Sequence, residues 1–111
     1  MPNPYFKFKQ FTIHHDRCSM KVTTDSCLFG AWVAHKTNGL GSDKNILDIG
    51  SGSGLLSVML AQQSSASIDG IELQQNDYIQ SLENISAANR KHQIHVSSLT
   101  QELLPIKRNT T

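Results

Sequence analysis

The chain opens with alternating apolar and polar residues and then settles into longer, more regular periods. In residues 5–13, YFKFKQFTI, Phe6 and Phe8 alternate with Lys7 and Lys9, and Phe11 alternates with Ile13. Each half fits a half-buried strand. The change from even to odd positions near Gln10 predicts a turn or bulge, because a one-residue slip moves side chains to the other face. Residues 14–24 are polar and irregular, with one short strand expected at 20–22. Thr24 or Asp25 suits the N-cap of a helix over 26–36, with Leu28, Trp32 and the pair Ala31 and Ala34 near one face. Lys36 suits its carboxyl end, where the helix dipole favours a cation. Asn38-Gly39-Leu40-Gly41-Ser42 then breaks the pattern and forms a loop.

From Lys44 the pattern becomes regular. Ile46-Leu47-Asp48-Ile49 is a short apolar strand carrying one acid. Residues 55–63, LLSVMLAQQ, are apolar nearly all round, as in a helix buried against a sheet. Residues 66–73, ASIDGIEL, read as a second strand. Tyr78, Leu82, Ile85 and Asn89 fall at helical spacing within 74–89 and predict an amphipathic helix closed by Arg90-Lys91. Residues 93–98 form a third strand around Ile94 and Val96. Residues 44–98 thus read strand-helix-strand-helix-strand, which is two βαβ units, a parallel sheet and right-handed crossovers. Trp32 and Tyr78 are expected in the core rather than on a base-stacking surface.

Composition narrows the class. With 38% hydrophobic residues, 17% charged residues and a net charge of +1, the chain is no disordered acidic or basic tail. No apolar run approaches the roughly 18 residues of a membrane span. The near-neutral charge confines any nucleic-acid contact to a local patch. No apolar segment of signal-peptide type follows Met1, so a cytoplasmic location is expected. Cys18 and Cys27 form no CxxC pair and are expected as reduced thiols, Cys27 packing as a small hydrophobe. His14-His15-Asp16 invites a metal reading, but adjacent histidines on a strand face opposite ways and no further ligands follow at zinc-like spacing. A structural or RNA-facing polar cluster is the expectation there, with no metal.

The chemistry concentrates in two places. Gly50-Ser51-Gly52-Ser53-Gly54 lies between a strand and a helix amino terminus. Glycines let the backbone turn tightly and approach a ligand, and the free N–H groups of the helix start favour a negative group. Glu72 ends the next strand, where a carboxylate accepts hydrogen bonds from ribose hydroxyls in such folds. Together they predict a nucleoside-containing ligand at the carboxyl ends of the strands. A dinucleotide fingerprint, G-x-G-x-x-G, needs glycine where the chain has Leu55, which argues against a nicotinamide cofactor. The spacing is instead D-x-G-x-G-x-G: Asp48, Gly50, Gly52, Gly54.

This pattern resembles motif I of the class I S-adenosylmethionine-dependent methyltransferases, an α/β Rossmann-like fold. The resemblance implies that the loop faces the methionine part of the cofactor, that Asp48 approaches its amino group, and that Glu72 binds the ribose. A narrower resemblance lies upstream. Phe8-Lys9-Gln10-Phe11, His15-Asp16-Arg17-Cys18-Ser19-Met20-Lys21-Val22, Thr23-Thr24-Asp25 and Leu28-Phe29-Gly30-Ala31-Trp32 are similar to the start of the tRNA1(Val) adenine-N6-methyltransferase family. Those enzymes methylate the exocyclic amine of an adenine beside the anticodon. The resemblance implies cofactor contacts from Thr24, Asp25, Asp48, Gly50, Ser51, Gly52, Gly54, Glu72 and Leu73. Lys7, Lys9, Arg17 and Lys21 read equally as an RNA-facing surface or as solvated positions.

Two departures from the family pattern shape the expectation. An acid common after the third strand is replaced by Ser98-Leu99-Thr100-Gln101, with Thr100 or Glu102 as the nearest substitutes. The catalytic Asn-Pro-Pro-Tyr motif does not occur in these residues. The expected architecture is therefore an N-terminal strand and helix extension over 1–43, a cofactor-binding half-domain over 44–104 truncated after about three core strands, and a non-matching tail over 105–111. The expected function is cofactor binding without turnover, within a family that methylates tRNA. A non-catalytic cofactor-binding remnant is the alternative. Self-association through an exposed sheet edge is expected as well.

Overall fold

The structure is a computed structural model that describes residues 5–18 and 21–99. Element order is β1 (Tyr5–Lys7), β2 (Thr12–His14), α1 (Thr24–Lys36), β3 (Asn45–Ile49), α2 (Leu55–Gln63), β4 (Ser67–Glu72), α3 (Gln75–Ala87) and β5 (Ile94–Ser98). Met20 of the expected short strand lies outside the described residues, and Val22 belongs to no strand. Residues 100–111, which include Thr100, Glu102 and the non-matching tail, also lie outside them.

β1 and β2 form an antiparallel hairpin in which Phe6 faces Ile13. The expected reversal near Gln10 is the hairpin's turn, where the Phe8 N–H donates to the Phe11 carbonyl at 2.8 Å. Ile13 is fully buried, but all three residues of β1 are exposed, so the half-buried pattern holds for β2 only. Phe8 stacks on Phe11 at 4.6 Å between ring centres, and both pack against the core.

α1 begins one or two residues earlier than expected. Its N-cap is Thr23, whose hydroxyl accepts from the Ser26 N–H at 3.1 Å while the Ser26 hydroxyl accepts from the Thr23 N–H at 2.9 Å. This reciprocal arrangement satisfies two orphan amides of the helix start. The face turned inward carries Gly30 and Ala34, and Gly30 lies where a Cβ would come within 2.5 Å of the Met59 sulfur on α2. Small residues let the two helices approach closely, which puts the large ones outside. Trp32 is 60% exposed beside Lys36, correcting the expectation of a core tryptophan, and Leu28 and Phe29 are exposed as well.

β3, β4 and β5 form a parallel sheet in that order, with Asp48 opposite Gly70 and Gly70 opposite Val96. Each strand is added on the same side of the last, so two right-handed crossovers place α2 and α3 on one face. That face carries the buried Asp48, Ile68, Gly70, Glu72, Ile94 and Ser98. The opposite face is open, with Leu47, Ile49, Asp69, His95 and Ser97 exposed.

α3 corrects the sequence reading of its inner face. Ile85 is buried and Tyr78 half-buried, but Leu82 and Asn89 are exposed. The buried positions are mostly polar: Asp77, Gln80, Ser81 and Asn84. β2 and the chain just after it lie against this face and bring backbone groups that need partners, which amide side chains supply. The helix ends at Ala87, and Asn89 follows in the left-handed region at φ 61°, a common helix stop.

Candidate functional site

The 50–54 loop leaves the carboxyl end of β3 and folds over the end of β4. The Gly50 and Ser51 N–H groups both donate to the Ile71 carbonyl, at 2.7 and 3.1 Å. Gly50, Gly52 and Gly54 have φ of 72°, 55° and 87°, the left-handed region in which a side chain is strained. Gly54 is also the N-cap of α2, where an added Cβ would lie 3.5 Å from the Ser81 Cβ on α3.

Both acids singled out from the sequence come to this loop. Asp48 is 7% exposed, and its Oδ2 accepts from the Ser57 hydroxyl at 2.8 Å. Burial pushes its carboxyl above the ordinary value of 3.8, the Ser57 hydrogen bond pulls it back, and the Glu72 charge pushes it up again. Glu72 is 6% exposed; its Oε1 accepts from the Gly52 N–H at 2.7 Å and its Oε2 from the Gln74 N–H at 2.9 Å. It thereby ties the loop to the end of β4. A carboxylate offers about four acceptor sites, so each oxygen keeps one for a hydroxyl.

Beside the loop runs a groove of about 230 Å³, lined by the 50–53 loop, Lys21, Val22, Thr23, Ser26 and Phe29, and by Leu55 and Leu56 of α2. Small-molecule sites run from about 300 Å³, so the groove has room for one end of a nucleoside-containing ligand. Ser51 lines it, while its Oγ, the buried side-chain polar atom left without a partner among the described residues, lies against Gly70 of β4. Thr24 and Asp25 are exposed on the first turn of α1 and do not line this groove; their neighbours Thr23 and Ser26 do. Leu73 is exposed just beyond Glu72. Phe29 escaped the sequence reading because its apolar type signals core, whereas the T-x-x-S spacing of Thr23 and Ser26 was a legible cap signal. A larger cavity of about 500 Å³, lined by residues such as Ser42, Ser67, Arg90 and His92, sits at the amino ends of the strands. Ligands of open α/β sheets bind at the other end.

The basic residues of the N-terminal segment differ in what they hold. Lys21 Nζ donates to the carbonyls of His15, Asp16 and Cys18 at 2.6, 3.2 and 3.2 Å, which uses all three of its protons. Arg17 pairs with Glu83 at 3.3 Å on the surface. Lys7 and Lys9 stand exposed on the hairpin. His15 Nδ1 accepts from the Val22 N–H at 2.9 Å, and His14 lies 5.8 Å from the Tyr5 ring. Among the described residues, no group of three or more His, Cys, Asp or Glu gathers as a metal site, and no helix is long and apolar enough to cross a membrane.

Comparison with known proteins places this geometry in a context. The family model described as ribosomal protein L11 methyltransferase (PrmA) matches residues 20–110. A protein of Phocaeicola vulgatus named tRNA1(Val) (adenine(37)-N6)-methyltransferase is 47% identical over 96 residues, covering 86% of this chain and 39% of the relative. A protein of the same name from Christiangramia forsetii is 51% identical over 85 residues, covering 76% and 34%. The chain thus spans about two fifths or less of the length of these relatives. Among solved structures, a SAM-dependent methyltransferase from Thiobacillus denitrificans in complex with S-adenosyl-L-homocysteine superposes with a TM-score of 0.54 at 25% identity, over 68% of this chain and 29% of that one. An O-methyltransferase from Bacillus cereus shares the fold at a TM-score of 0.58 and 21% identity, over 82% and 41%.

Proposed function

This chain belongs to the PrmA-type methyltransferase family, and on that ground we propose that it forms the cofactor-holding part of an S-adenosylmethionine-dependent tRNA adenine-N6-methyltransferase. The observation that carries the reading is the convergence of Asp48, the 50–54 loop and Glu72 at the carboxyl ends of β3 and β4. The names of the relatives support the substrate class.

The residues present suit the cofactor. Its amino-acid end is small, cationic at the amine and anionic at the carboxylate. The groove offers it the start of α2, Leu55 and Leu56, whose first-turn amides have no intrahelical partner. Asp48, ionised above its raised pKa, supplies the negative charge for the ammonium. Glu72 keeps acceptor sites for ribose hydroxyls. Thr24 and Asp25, next in the chain to the groove residue Thr23, and Leu73, next to Glu72, complete the proposed set, with Gly50, Gly52 and Gly54 shaping the loop. When bound, S-adenosylmethionine supplies an electrophilic methyl group on a sulfonium. The chain's own residues bind and orient it; gripping an adenine amine is the part of groups of the Asn-Pro-Pro-Tyr kind, which these residues do not include. The target base would have to leave its stack to be reached. Lys7 and Lys9 on the hairpin are the proposed RNA-facing cations, with Arg17 and Lys21 bracing the segment behind them. A cytoplasmic site of action follows from a tRNA substrate.

The proposed division of labour is an extension over 1–43 and a cofactor half over 44–104. Calorimetric titration with S-adenosylhomocysteine tests the reading. Saturable binding by the 111-residue chain is expected, lost in Glu72→Ala, with no labelled methyl entering unmodified tRNA. Absence of binding to the intact chain would sink the cofactor assignment, and methyl transfer by the chain alone would overturn the division of labour.

A further inference from the structure

The side chain that joins the two walls of the groove is Asn84, a residue the site as described does not use. It is fully buried on α3. Its Nδ2 donates to the Ser53 carbonyl in the loop and to the His14 carbonyl at the end of β2, both at 2.8 Å. Its Oδ1 accepts from the His14 N–H, also at 2.8 Å. Two donors and an acceptor on one short, rigid group are what these three backbone atoms require. Aspartate lacks the donors and glutamine is a carbon longer.

The contacts continue on both sides. His15, next to His14, accepts from the Val22 N–H through Nδ1 and from Lys21 Nζ through its carbonyl. Lys21 and Val22 form one wall of the groove, and Ser53 belongs to the other. One turn earlier on α3, Gln80 Oε1 accepts from the Arg17 N–H at 2.7 Å and Gln80 Nε2 donates to Asp16 at 3.1 Å, securing the same segment. Both walls are therefore tied to one face of α3, and Asn84 is where they meet.

We propose that Asn84 is a positioning residue that makes the 50–54 loop and residues 14–17, with the Lys21 and Val22 held to them, move as one unit, so that a ligand seated on the loop tightens both. The ligand part rests on the cofactor reading of the loop; the coupling of the two walls does not. Amide hydrogen exchange reads the coupling directly. In Asn84→Ala, the His14 N–H and the Gly54 N–H, which donates to the Ser51 carbonyl, are expected to exchange about tenfold faster, the effect of losing roughly one net hydrogen bond. The Ile68 N–H, which donates to Gln93 in the sheet, is the control and stays unchanged. Faster exchange at His14 alone would overturn the proposal, because Asn84 would then be a local clamp.

If Asn84→Ala loosens the whole fold, Asn84→Asp decides. Its ionised carboxyl would face two carbonyl oxygens, while its protonated form can still donate to one of them. The Gly54 exchange rate, as a ratio to the unmodified protein at the same pH, is then expected to rise as pH climbs through the titration of the introduced carboxyl. A ratio flat with pH would overturn the coupling. In the unmodified protein, S-adenosylhomocysteine is expected to slow His14 and Gly54 together. Slowing at Gly54 only would overturn the proposal, and failure to bind at all would remove the cofactor reading and the ligand response while the variant exchange rates still decide the coupling.

Discussion

Two carboxylates lie buried within one site, and they are served unequally. Glu72 receives two backbone amides, whereas Asp48 receives one hydroxyl and stands near the other's charge. A folded-state pKa above the unfolded value of 3.8 means that the native state holds the proton more tightly. Stability from Asp48 is therefore greatest while it is protonated and falls as pH rises past the unfolded value, levelling off above the raised one. Asn at this position keeps an acceptor for Ser57 and removes the buried charge. Asp48→Asn is expected to unfold at higher urea than the unmodified protein above the raised pKa, with S-adenosylhomocysteine binding lost; lower stability at neutral pH would refute the assignment. Glu72→Gln is expected to behave oppositely, because its NH₂ group cannot accept from an amide. One of the Gly52 and Gln74 N–H groups is then unpaired, at about 1–3 kcal/mol, read as a lower urea midpoint at unchanged slope. The cysteines give a third test at this scale. Burial first and Asp77 second push the Cys18 thiol up to about 12, while the half-buried Cys27 is raised by its own burial. Since the thiolate is the reactive form, maleimide at neutral pH should label Cys27 and reach Cys18 only on unfolding. Peptide mass mapping checks this, and equal labelling of both in the folded protein would contradict it.

At the level of elements, the helices differ in how they are anchored. α1 leans on its amino-terminal cap, since its fully buried residues are the small Gly30 and Ala34, with Cys27 and Val33 only partly buried beside them. Thr23→Ala removes the hydroxyl that accepts from Ser26 and is expected to cost about 1 kcal/mol in urea unfolding. No loss of stability would show that packing alone holds the helix. α3 is anchored by amides, and this explains where sequence reading stopped. β3, α2, β4 and β5 were legible because each is a short apolar stretch bounded by turn residues, and the loop with Glu72 because strand, glycines and acid recur at fixed offsets. The inner face of α3 was not. Its partners are backbone groups of His14 and Ser53, 70 and 31 positions away, and no local pattern announces that a distant strand will need donors there. The polar face looked solvated and Leu82 looked buried for the same reason. Trp32 misled in the complementary way: hydrophobic type favours burial on average, but two small residues had already claimed the face that packs.

For the whole molecule, strand order decides which surfaces are left open. With β3, β4 and β5 added in one direction, both crossover helices cover the same face, and β3 keeps one free edge among the described residues. Leu47 is 58% and Ile49 76% exposed on the uncovered face beside that edge. An unpaired strand edge next to exposed apolar side chains is a template for association. The 111-residue chain is expected to self-associate there, seen as a sedimentation coefficient that rises with protein concentration. Burying a Leu or Ile side chain is worth roughly 1.5–3 kcal/mol, so Leu47→Ser with Ile49→Ser should weaken that association by about tenfold or more. Both side chains lie on the sheet face opposite Asp48 and Glu72, so S-adenosylhomocysteine affinity should be unchanged in the same variant. The two measurements separate the surfaces. If the unmodified chain sediments as a monomer at every concentration, the edge is not sticky. If the double variant loses ligand as well as association, the open face and the groove are not the independent surfaces that the strand order makes them.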